Sequence, residues 1–287
     1  MLEKTINENI AALQSMHQIV ETYEEIAAMR TRKIKNSVLQ NREFIAGLNS
    51  VFQRVEHSYK VEVSKFKNIK AAADAKASVT NGRTVYVLIS SNTGLYGDIV
   101  KKVFYTFVSD IKDKDVDLVI TGISGRTMFD ELSSDRVYTY FDLSDTIYED
   151  KLVKKIFDFL VNYETIVVYH GIFKDMLSQN PTKSYIMRDS LETAQQETEV
   201  GVASIFEPSL HDIVRFFETQ ILASLFDQSV YESNLSKYAS RMISLDLSAS
   251  NIAKSVKKTK LFAKKFKHHR DNERQLSSLS GVSLWGA

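Results

Sequence analysis

The chain has 287 residues and a formal net charge of +1, with 44% hydrophobic and 25% charged residues. It is long enough for one large or two modest domains, and its charge balance gives no indication of nucleic-acid binding. It contains no cysteine, which excludes a disulfide scaffold, a thiolate metal site and a cysteine nucleophile. Residues 1–10 are polar and charged, unlike a secretory signal, and the longest apolar runs are too short to cross a bilayer. We therefore expect neither a signal nor a direct membrane span.

The N-terminal arm, residues 1–60, is predicted to form one long helix. Residues 1–46 contain neither glycine nor proline. From Ile6 to Tyr59, alternating steps of four and three define a heptad seam that is apolar at both ends. The centre of the seam is polar, at His17, Glu24 and Thr31. Such a helix is far longer than those of globular domains, so its stripe is expected to pack against another long helix.

After a linker over residues 61–83, the segment 84–207 is predicted to be a central Rossmann-like α/β domain. The predicted strands are 84–91, 116–122, 136–143, 165–172 and 184–191. The predicted helices between them are 94–112, 124–132 and 145–163. We expect Leu95 on the buried face of the first of these helices and Asp145 as the cap of the last. Strands that alternate with helices favour a mostly parallel sheet, with the fifth strand as an antiparallel edge after Pro181.

The C-terminal arm, residues 208–287, is predicted to be a second long helix that begins near Pro208 and ends at Gly281. Its seam passes through "LSKYASRMISLDLSASNIAKSV" at alternating steps of three and four. The seam residues are Leu235, Tyr238, Met242, Leu245, Ala249, Ile252 and Val256. Because a folded domain separates the arms, the chain direction makes the two helices antiparallel. The predicted fold class is therefore α/β with long helices: an antiparallel two-helix coiled coil plus the central domain.

One glycine turn, "SSNTGLYGDIV", lies where α/β folds place phosphate-binding loops, between a strand and the helix after it. Its glycines, Gly94 and Gly97, match neither the dinucleotide fingerprint nor the phosphate-loop pattern. A structural turn with close helix packing is the favoured interpretation, and an anion site is the alternative.

No catalytic or metal-binding constellation is predicted. The six histidines lack metal-ligand spacing, and His170, near the end of a strand, is interpreted as a structural residue. No serine lies in a nucleophile elbow, and no pair of carboxylates suggests acid–base chemistry. We expect a non-catalytic chain without a cofactor.

Two clusters of basic residues carry the strongest interaction signal. The first is "MRTRKIK", and the second extends from Lys254 to Arg274 with few acidic residues. Exposed helices usually mix both signs of charge, so a one-signed helix favours an acidic partner surface over a merely solvated face. No nucleic-acid-binding motif accompanies the clusters. The candidate partner-binding residues are Arg30, Arg32, Lys33, Lys35, Lys257, Lys258, Lys264, Lys265, Lys267, His268 and Arg270.

Several stretches together resemble one known family. "HQIVETYEEIAAMRTRKI", "YVLISSNTGLYGDI" and "SNLSKYASRMISLDLSASNIAKSV" follow in the family's order. The last keeps Ala239, Arg241, Met242 and Asn251 at the family's spacing. On these motifs the chain resembles the gamma subunit of F-type ATP synthases over essentially its whole length.

The resemblance implies a central rotor shaft. The helix pair would stand inside a ring of alpha and beta subunits, with the basic residues against acidic loops of the beta subunits. The α/β domain would lie at the base, beside an epsilon-like subunit and the membrane rotor ring. The expected location is then peripheral, on the cytoplasmic face of the cell membrane, and rotation would couple ATP synthesis or hydrolysis to proton translocation.

The chain departs from the family at some positions. Asn92 and Thr93 replace a common Asp-Arg pair, and Lys267 and His268 stand where the family commonly has Arg and Gln. Alternatives therefore stay open beside the synthase shaft. One is the shaft of a specialised F-type-like motor, for example in gliding motility, and another is a non-rotating coiled-coil adaptor. The last is an enzyme that binds nucleotide at residues 92–98.

Overall fold

A computed structural model describes residues 2–65, 81–112, 114–132, 136–145, 150–176, 178–187 and 210–284 of the chain. Helix α1 spans Leu2–Lys65, and the C-terminal helix α5 spans Leu210–Leu284. The elements between them are β1 (Thr84–Ile89), α2 (Ile99–Ile111), β2 (Asp117–Thr121), α3 (Ile123–Glu131), β3 (Tyr138–Phe141), α4 (Asp150–Leu160), β4 (Thr165–Phe173) and β5 (Gln179–Met187). The structure thus confirms the predicted α/β fold with two long terminal helices and a mostly parallel central sheet.

The helices do not end where the sequence pattern placed their ends. α1 continues past residue 60 into the expected linker, of which residues 66–80 lie outside the described part. α5 continues through Gly281, because one glycine costs a helix only about 1 kcal/mol. The expected start at Pro208 lies outside the described residues. The domain boundaries expected at 60, 83 and 207 stay predictions.

The chain divides into two compact units. Residues 29–240 form one unit, and residues 1–28 with 241–287 form the other. The first unit contains the sheet, most of the connecting segments and the adjoining parts of α1 and α5. The second contains only the outer parts of the two long helices.

The sheet has the strand order β3-β2-β1-β4-β5. Neighbouring strands from β3 to β4 are parallel, and β5 pairs antiparallel with β4 at the edge. Because the chain returns after β3 to place β4 on the other side of β1, the sheet is doubly wound. Its topological switch point is the crevice at the carboxyl ends of β1 and β4, where folds of this type usually bind ligands.

The two faces of the sheet have separate cores, since side chains alternate along each strand. On one face, Val87 of β1 packs in a cluster with Ile156 of α4 and Phe226 of α5. On the other face, Phe107 of α2 makes an edge contact with Tyr169 of β4, with ring centroids 5.3 Å apart. Residues of α5 are therefore part of the core of the α/β domain itself.

Within residues 29–240, α1 and α5 run antiparallel. Their contacting pairs, in order along α1, are Arg30–Tyr238, Asn41–Ser224 and Phe52–Phe217. Position numbers rise on α1 as they fall on α5, which is the antiparallel order. Buried and half-buried positions of α1 in this unit include those of the heptad seam: Thr31, Ile34, Val38, Asn41, Ile45, Leu48 and Phe52.

The second unit keeps the same periodicity on each helix. On α1, buried or half-buried side chains recur from Ile6 to Ala27 at the seam positions. On α5, half-buried side chains recur from Ile252 to Arg270 at alternating steps of four and three. Each helix therefore shields one narrow stripe from solvent, as a coiled-coil helix does.

Two local predictions in the α/β domain are wrong. Leu95 lies outside α2 in a left-handed conformation, with φ +66° and 60% of its surface exposed. The fifth strand begins at Gln179 rather than after Pro181, which lies opposite Gly171 in the ladder. An edge strand tolerates this proline because one row of its backbone groups faces away from the sheet. Residues 188–191 of the predicted strand lie outside the described part.

His170 is a buried structural residue, as interpreted from the sequence. Its Nδ1 lies 3.1 Å from the carbonyl of Gly171, and its Nε2 lies 2.8 Å from Ser184 Oγ. A carbonyl can only accept, so Nδ1 carries the proton and Nε2 accepts from the serine hydroxyl. Burial lowers the pKa of His170 below its usual value of 6.5, because the charged imidazolium is disfavoured there.

This lowered pKa predicts an acid-sensitive fold. Below about pH 6.5 the unfolded chain binds a proton on His170 that the folded chain does not bind. The free energy of unfolding therefore decreases as the pH is lowered, until the pH reaches the pKa of His170 in the folded chain. The slope is at most about 1.4 kcal/mol per pH unit for one proton. Urea unfolding between pH 7 and 5 measures it. The His170→Gln variant should lose this part of the slope, and the exposed-site control His268→Gln should keep it. Equal slopes in all three chains would contradict the assignment.

The packing of α5 on the sheet requires glycine at two positions. A Cβ on Gly171 of β4 would lie 2.5 Å from Ser236 Oγ and 3.1 Å from Ser236 Cβ. A Cβ on Gly97 would lie 2.6 Å from Ser240 Oγ, and this glycine has φ +58°. The missing side chains let the backbone of α5 approach the sheet closely.

The substitution Gly171→Ala tests this close approach. It should lower the free energy of unfolding by roughly 1–3 kcal/mol, as overpacking does. Gly94→Ala is the matched control, because a Cβ there meets no atom within 4 Å. Adding Ser236→Ala should recover part of the loss, since it removes the nearest clashing atom. Equal stability of the two single variants in denaturant unfolding would show that α5 is not closely packed here.

Candidate functional site

The most unusual part of α5 is the stretch from residue 232 to residue 240, in which every side chain is buried. A helix on the surface of a domain normally buries only one stripe. Complete burial over more than two turns means that neighbouring elements surround the helix. α1 and the α/β domain both contact it there.

Lys237 points into the α/β domain and forms a buried ion pair with Asp145. Its Nζ donates to Asp145 Oδ1 at 2.6 Å and to the carbonyl of Ser90 at 2.8 Å. The two side chains are only 5% and 1% exposed. In such surroundings an unpaired charge is strongly unfavourable, so each partner needs the other.

Asp145 also satisfies the glycine turn with its second oxygen. Oδ2 accepts from the backbone N–H of Asn92 at 2.5 Å and of Thr93 at 3.0 Å. The carboxylate therefore supplies the negative charge that these two N–H groups of the turn bind. The expectation that Asp145 caps a helix stays a prediction, because residues 146–149 lie outside the described part; the described partners of its carboxylate are the turn and Lys237.

The switch-point crevice of the sheet is filled by α5. Ser236 packs on Gly171 at the end of β4, and Lys237 binds the carbonyl of Ser90 just after β1. These are the two strands whose carboxyl ends form the crevice. Together with the carboxylate on the turn, this packing weighs against the alternative of a nucleotide site at residues 92–98.

Gly94 and Gly97 have different roles in the turn. Gly97 has a positive φ and faces Ser240, so both its conformation and its lack of a side chain are used. Gly94 has neither feature. The favoured interpretation of a structural turn with close helix packing therefore rests on Gly97, and no observation assigns the same role to Gly94.

The opposite side of the buried stretch faces α1. The Arg30 guanidinium lies 5.8 Å from the centre of the Tyr238 ring, and Arg42 donates to the buried Glu232 carboxylate at 2.8 Å. Tyr238 also donates its hydroxyl to the Asp145 carbonyl at 2.9 Å. One turn of α5 thus connects α1 to the α/β domain.

The predicted seam residues of α5 differ in burial. Leu235, Tyr238, Leu245 and Ala249 are buried, whereas Met242, Ile252 and Val256 are half-buried. Tyr238 contacts both α1 and Tyr96 of the turn, with the two tyrosine rings 5.9 Å apart. What the remaining seam residues pack against stays a prediction.

The candidate partner-binding residues are mostly exposed. In residues 29–240, Arg32, Lys33 and Lys35 are exposed, and Arg30 is half-buried over Tyr238. In the second unit, the exposed members are Lys257, Lys258, Lys264, Lys265, Lys267 and His268. Arg270 is half-buried, with its Nε 4.0 Å from an Asp271 oxygen. Except for Arg30 and Arg270, these side chains are available to a partner.

Sequence reasoning missed the buried charges at the centre of this site. Lys237 and Glu232 were not singled out, and Asp145 was expected only as a helix cap, yet all three are buried. One signal could have drawn attention to Lys237: the stretch "SNLSKYAS" around it is rich in serine and alanine. Small side chains let neighbouring elements approach a helix closely, which reduces the access of a lysine to solvent.

The described residues contain neither a metal site nor a membrane-spanning helix. No group of His, Asp or Glu side chains there has an arrangement that could hold a metal ion. None of the helices in the described part combines the length and apolar character needed to span a membrane.

Comparison with known proteins gives consistent matches over nearly the whole chain. The sequence model of a family described as ATP synthase matches residues 3–269. The ATP synthase gamma chain of Elusimicrobium minutum is 24% identical over 268 residues, which cover 88% of each chain. That of Amoebophilus asiaticus is 23% identical over 269 residues, which cover 90% of each.

A solved structure has the same fold. It is a chain of the Euglena gracilis mitochondrial ATP synthase, from the OSCP/F1/c-ring assembly in rotational state 3, with a TM-score of 0.62 and 12% identity. The alignment covers 98% of this chain and 94% of that chain. At this identity the likeness establishes the fold alone. The family match, however, includes nearly all of α1, the α/β domain and α5 as far as residue 269, and the chain therefore belongs to the ATP synthase gamma-chain family.

Proposed function

We propose that this chain is the central rotor shaft of an F-type rotary ATPase. It would couple ATP synthesis or hydrolysis in an alpha/beta hexamer to rotation and proton translocation. The observation that carries the proposal is the family match from residue 3 to residue 269, which spans nearly all of α1, the α/β domain and most of α5. The antiparallel contacts of α1 with α5, and the anchoring of α5 in the α/β domain, fit this role.

The proposed mechanism is mechanical and leaves the chemistry to other subunits. A shaft that presents different side chains to successive subunits of a ring stabilises a different conformation in each of them. Rotation then changes which subunit is open or closed, because coupling needs only a difference in contact free energy between two states. The chain itself would bind no cofactor and catalyse no reaction.

The proposed partners follow from this role. The alpha and beta subunits would surround the helix pair, and an epsilon-like subunit and the membrane rotor ring would bind the α/β domain. The chain would therefore act at the cytoplasmic face of the cell membrane, held there through the complex. Whether the complex is a synthase or a specialised motor depends on the presence of a proton-conducting ring.

Co-expression tests the proposal directly. The chain should co-purify in fixed stoichiometry with the alpha and beta subunits encoded in the same genome, and the complex should hydrolyse ATP. The isolated chain should show neither ATP hydrolysis nor heat of nucleotide binding in calorimetry. Purification without alpha and beta subunits would overturn the shaft role and favour the adaptor. Nucleotide binding by the isolated chain would favour the enzyme.

The second basic cluster is proposed to contact acidic surfaces of the ring. Its lysines are exposed and lie on turns of α5 that carry few acids. Charges at the rim of an interface mainly affect association rate and salt dependence. We therefore expect the cluster to control how tightly and how salt-sensitively the ring holds the shaft.

Neutralising this cluster gives a measurable prediction. Changing Lys257, Lys258, Lys264 and Lys265 together to Gln should weaken binding to the alpha/beta ring and flatten its salt dependence. The matched control makes the same change at four exposed lysines of the α/β domain: Lys101, Lys151, Lys154 and Lys155. Titration of ring subunits at low and high salt measures both quantities. Equal salt dependence in the two variants would contradict a specific role for the cluster.

A further inference from the structure

We propose that Lys237 is a positioning residue of the shaft. Its buried ammonium holds residues 232–240 of α5 in one orientation on the α/β domain. Torque then passes between the helix and the domain without relative rotation of the two. The inference rests on the proposed function, because a fixed orientation matters only in a chain that transmits torque. All the contacts that carry it lie within the compact unit of residues 29–240.

The Lys237 ammonium meets three groups of the domain, two in the glycine turn and one after β3. Nζ donates to the Ser90 carbonyl after β1 and to Asp145 after β3, and it lies 5.9 Å from the centre of the Tyr96 ring in the glycine turn. An ammonium has three N–H donors, which point in different directions. Contacts in several directions resist both sliding of the helix along its axis and rotation about it.

The other residues of this helix face bond to the domain through neutral groups. Tyr238 donates to the Asp145 carbonyl at 2.9 Å, and Ser240 donates to the Tyr96 carbonyl at 2.8 Å. Ser233, Ser236 and Ser240 are small, so they allow close approach without large side chains that interlock with the sheet. Ser236 Oγ is buried and has no hydrogen-bond partner among the described residues. Among the described residues of this face, Lys237 is thus the charged side chain that bonds both to the end of β1 and to the segment after β3.

The energetics also favour a role in positioning over one in stability. Removing two charges from water offsets most of their attraction, so a buried ion pair often contributes no more stability than a neutral pair of similar volume. Removing one partner alone is costly, because the other charge is left buried without compensation. A neutral pair should therefore restore stability without restoring the directional bonds.

The difference between restored stability and lost directional bonds separates a positioning role from a merely structural one. The variants are Lys237→Met, Asp145→Asn and the double variant Lys237→Met/Asp145→Asn. Met is close in length to Lys, and Asn keeps the shape of Asp and one acceptor oxygen for the turn. Lys183→Met is the matched control, since Lys183 forms a surface ion pair with Asp110 at 2.9 Å.

Two measurements are made on each full-length variant. The first is the thermal midpoint of the isolated chain. The second is the angular spread of a probe on the α/β domain. It is measured with the chain assembled in an immobilised alpha/beta ring, during the pauses between rotational steps. The probe is attached at Lys101→Cys on an exposed face of α2, which gives a unique label because the chain has no other cysteine.

Each single variant should lose thermal stability, and the double variant should regain it. The angular spread of the double variant should nevertheless stay broader than that of the unsubstituted chain, whereas Lys183→Met should change neither quantity. An unchanged angular spread in a stable double variant would overturn the proposal. So would a double variant that is stable but does not assemble, because Lys237 would then serve assembly rather than position. Absence of defined pauses in the unsubstituted complex would instead contradict the shaft function itself.

Discussion

The structure depends on the burial of one stretch of helix on all its sides. Residues 232–240 of α5 fill the crevice at the switch point of the sheet and contact α1 on the other side. A doubly wound domain usually keeps this crevice open for a ligand. Here the chain's own helix α5 occupies the crevice, so a fold that usually binds a ligand instead holds a long helix.

The residue types where α5 packs in the crevice follow from this burial. Close approach requires Gly97 and Gly171 on the domain and small residues on the helix. The carbonyl after β1 and the N–H groups of the turn need polar partners once water is excluded. Lys237 and Asp145 supply these partners, and each neutralises the charge of the other. The anion site suggested by the glycine turn is therefore present in geometry, with an internal carboxylate as its anion.

Much of this architecture could be predicted from the sequence, since it depends on periodicity. The alternation of strands and helices and the two long helices with their buried stripes are repetitive patterns that tertiary contacts rarely override. Local details were harder to predict, because they depend on contacts with residues distant in sequence. Asp145 was expected only as a helix cap, and its ion pair with Lys237, far along the chain, was not foreseen. Leu95 fits the helical spacing, yet the turn that delivers the chain to α2 needs it in a left-handed conformation. Pro181 suggested a strand boundary, although an edge strand can include it.

The central claim is that this chain turns as a shaft and that its α/β domain turns with α5. The most direct measurement attaches a probe to the α/β domain, fixes the alpha/beta ring to a surface and adds ATP. We expect stepwise rotation of the probe in one direction that stops when ATP is removed. A ring that hydrolyses ATP while the probe only fluctuates, with no net rotation, would contradict it.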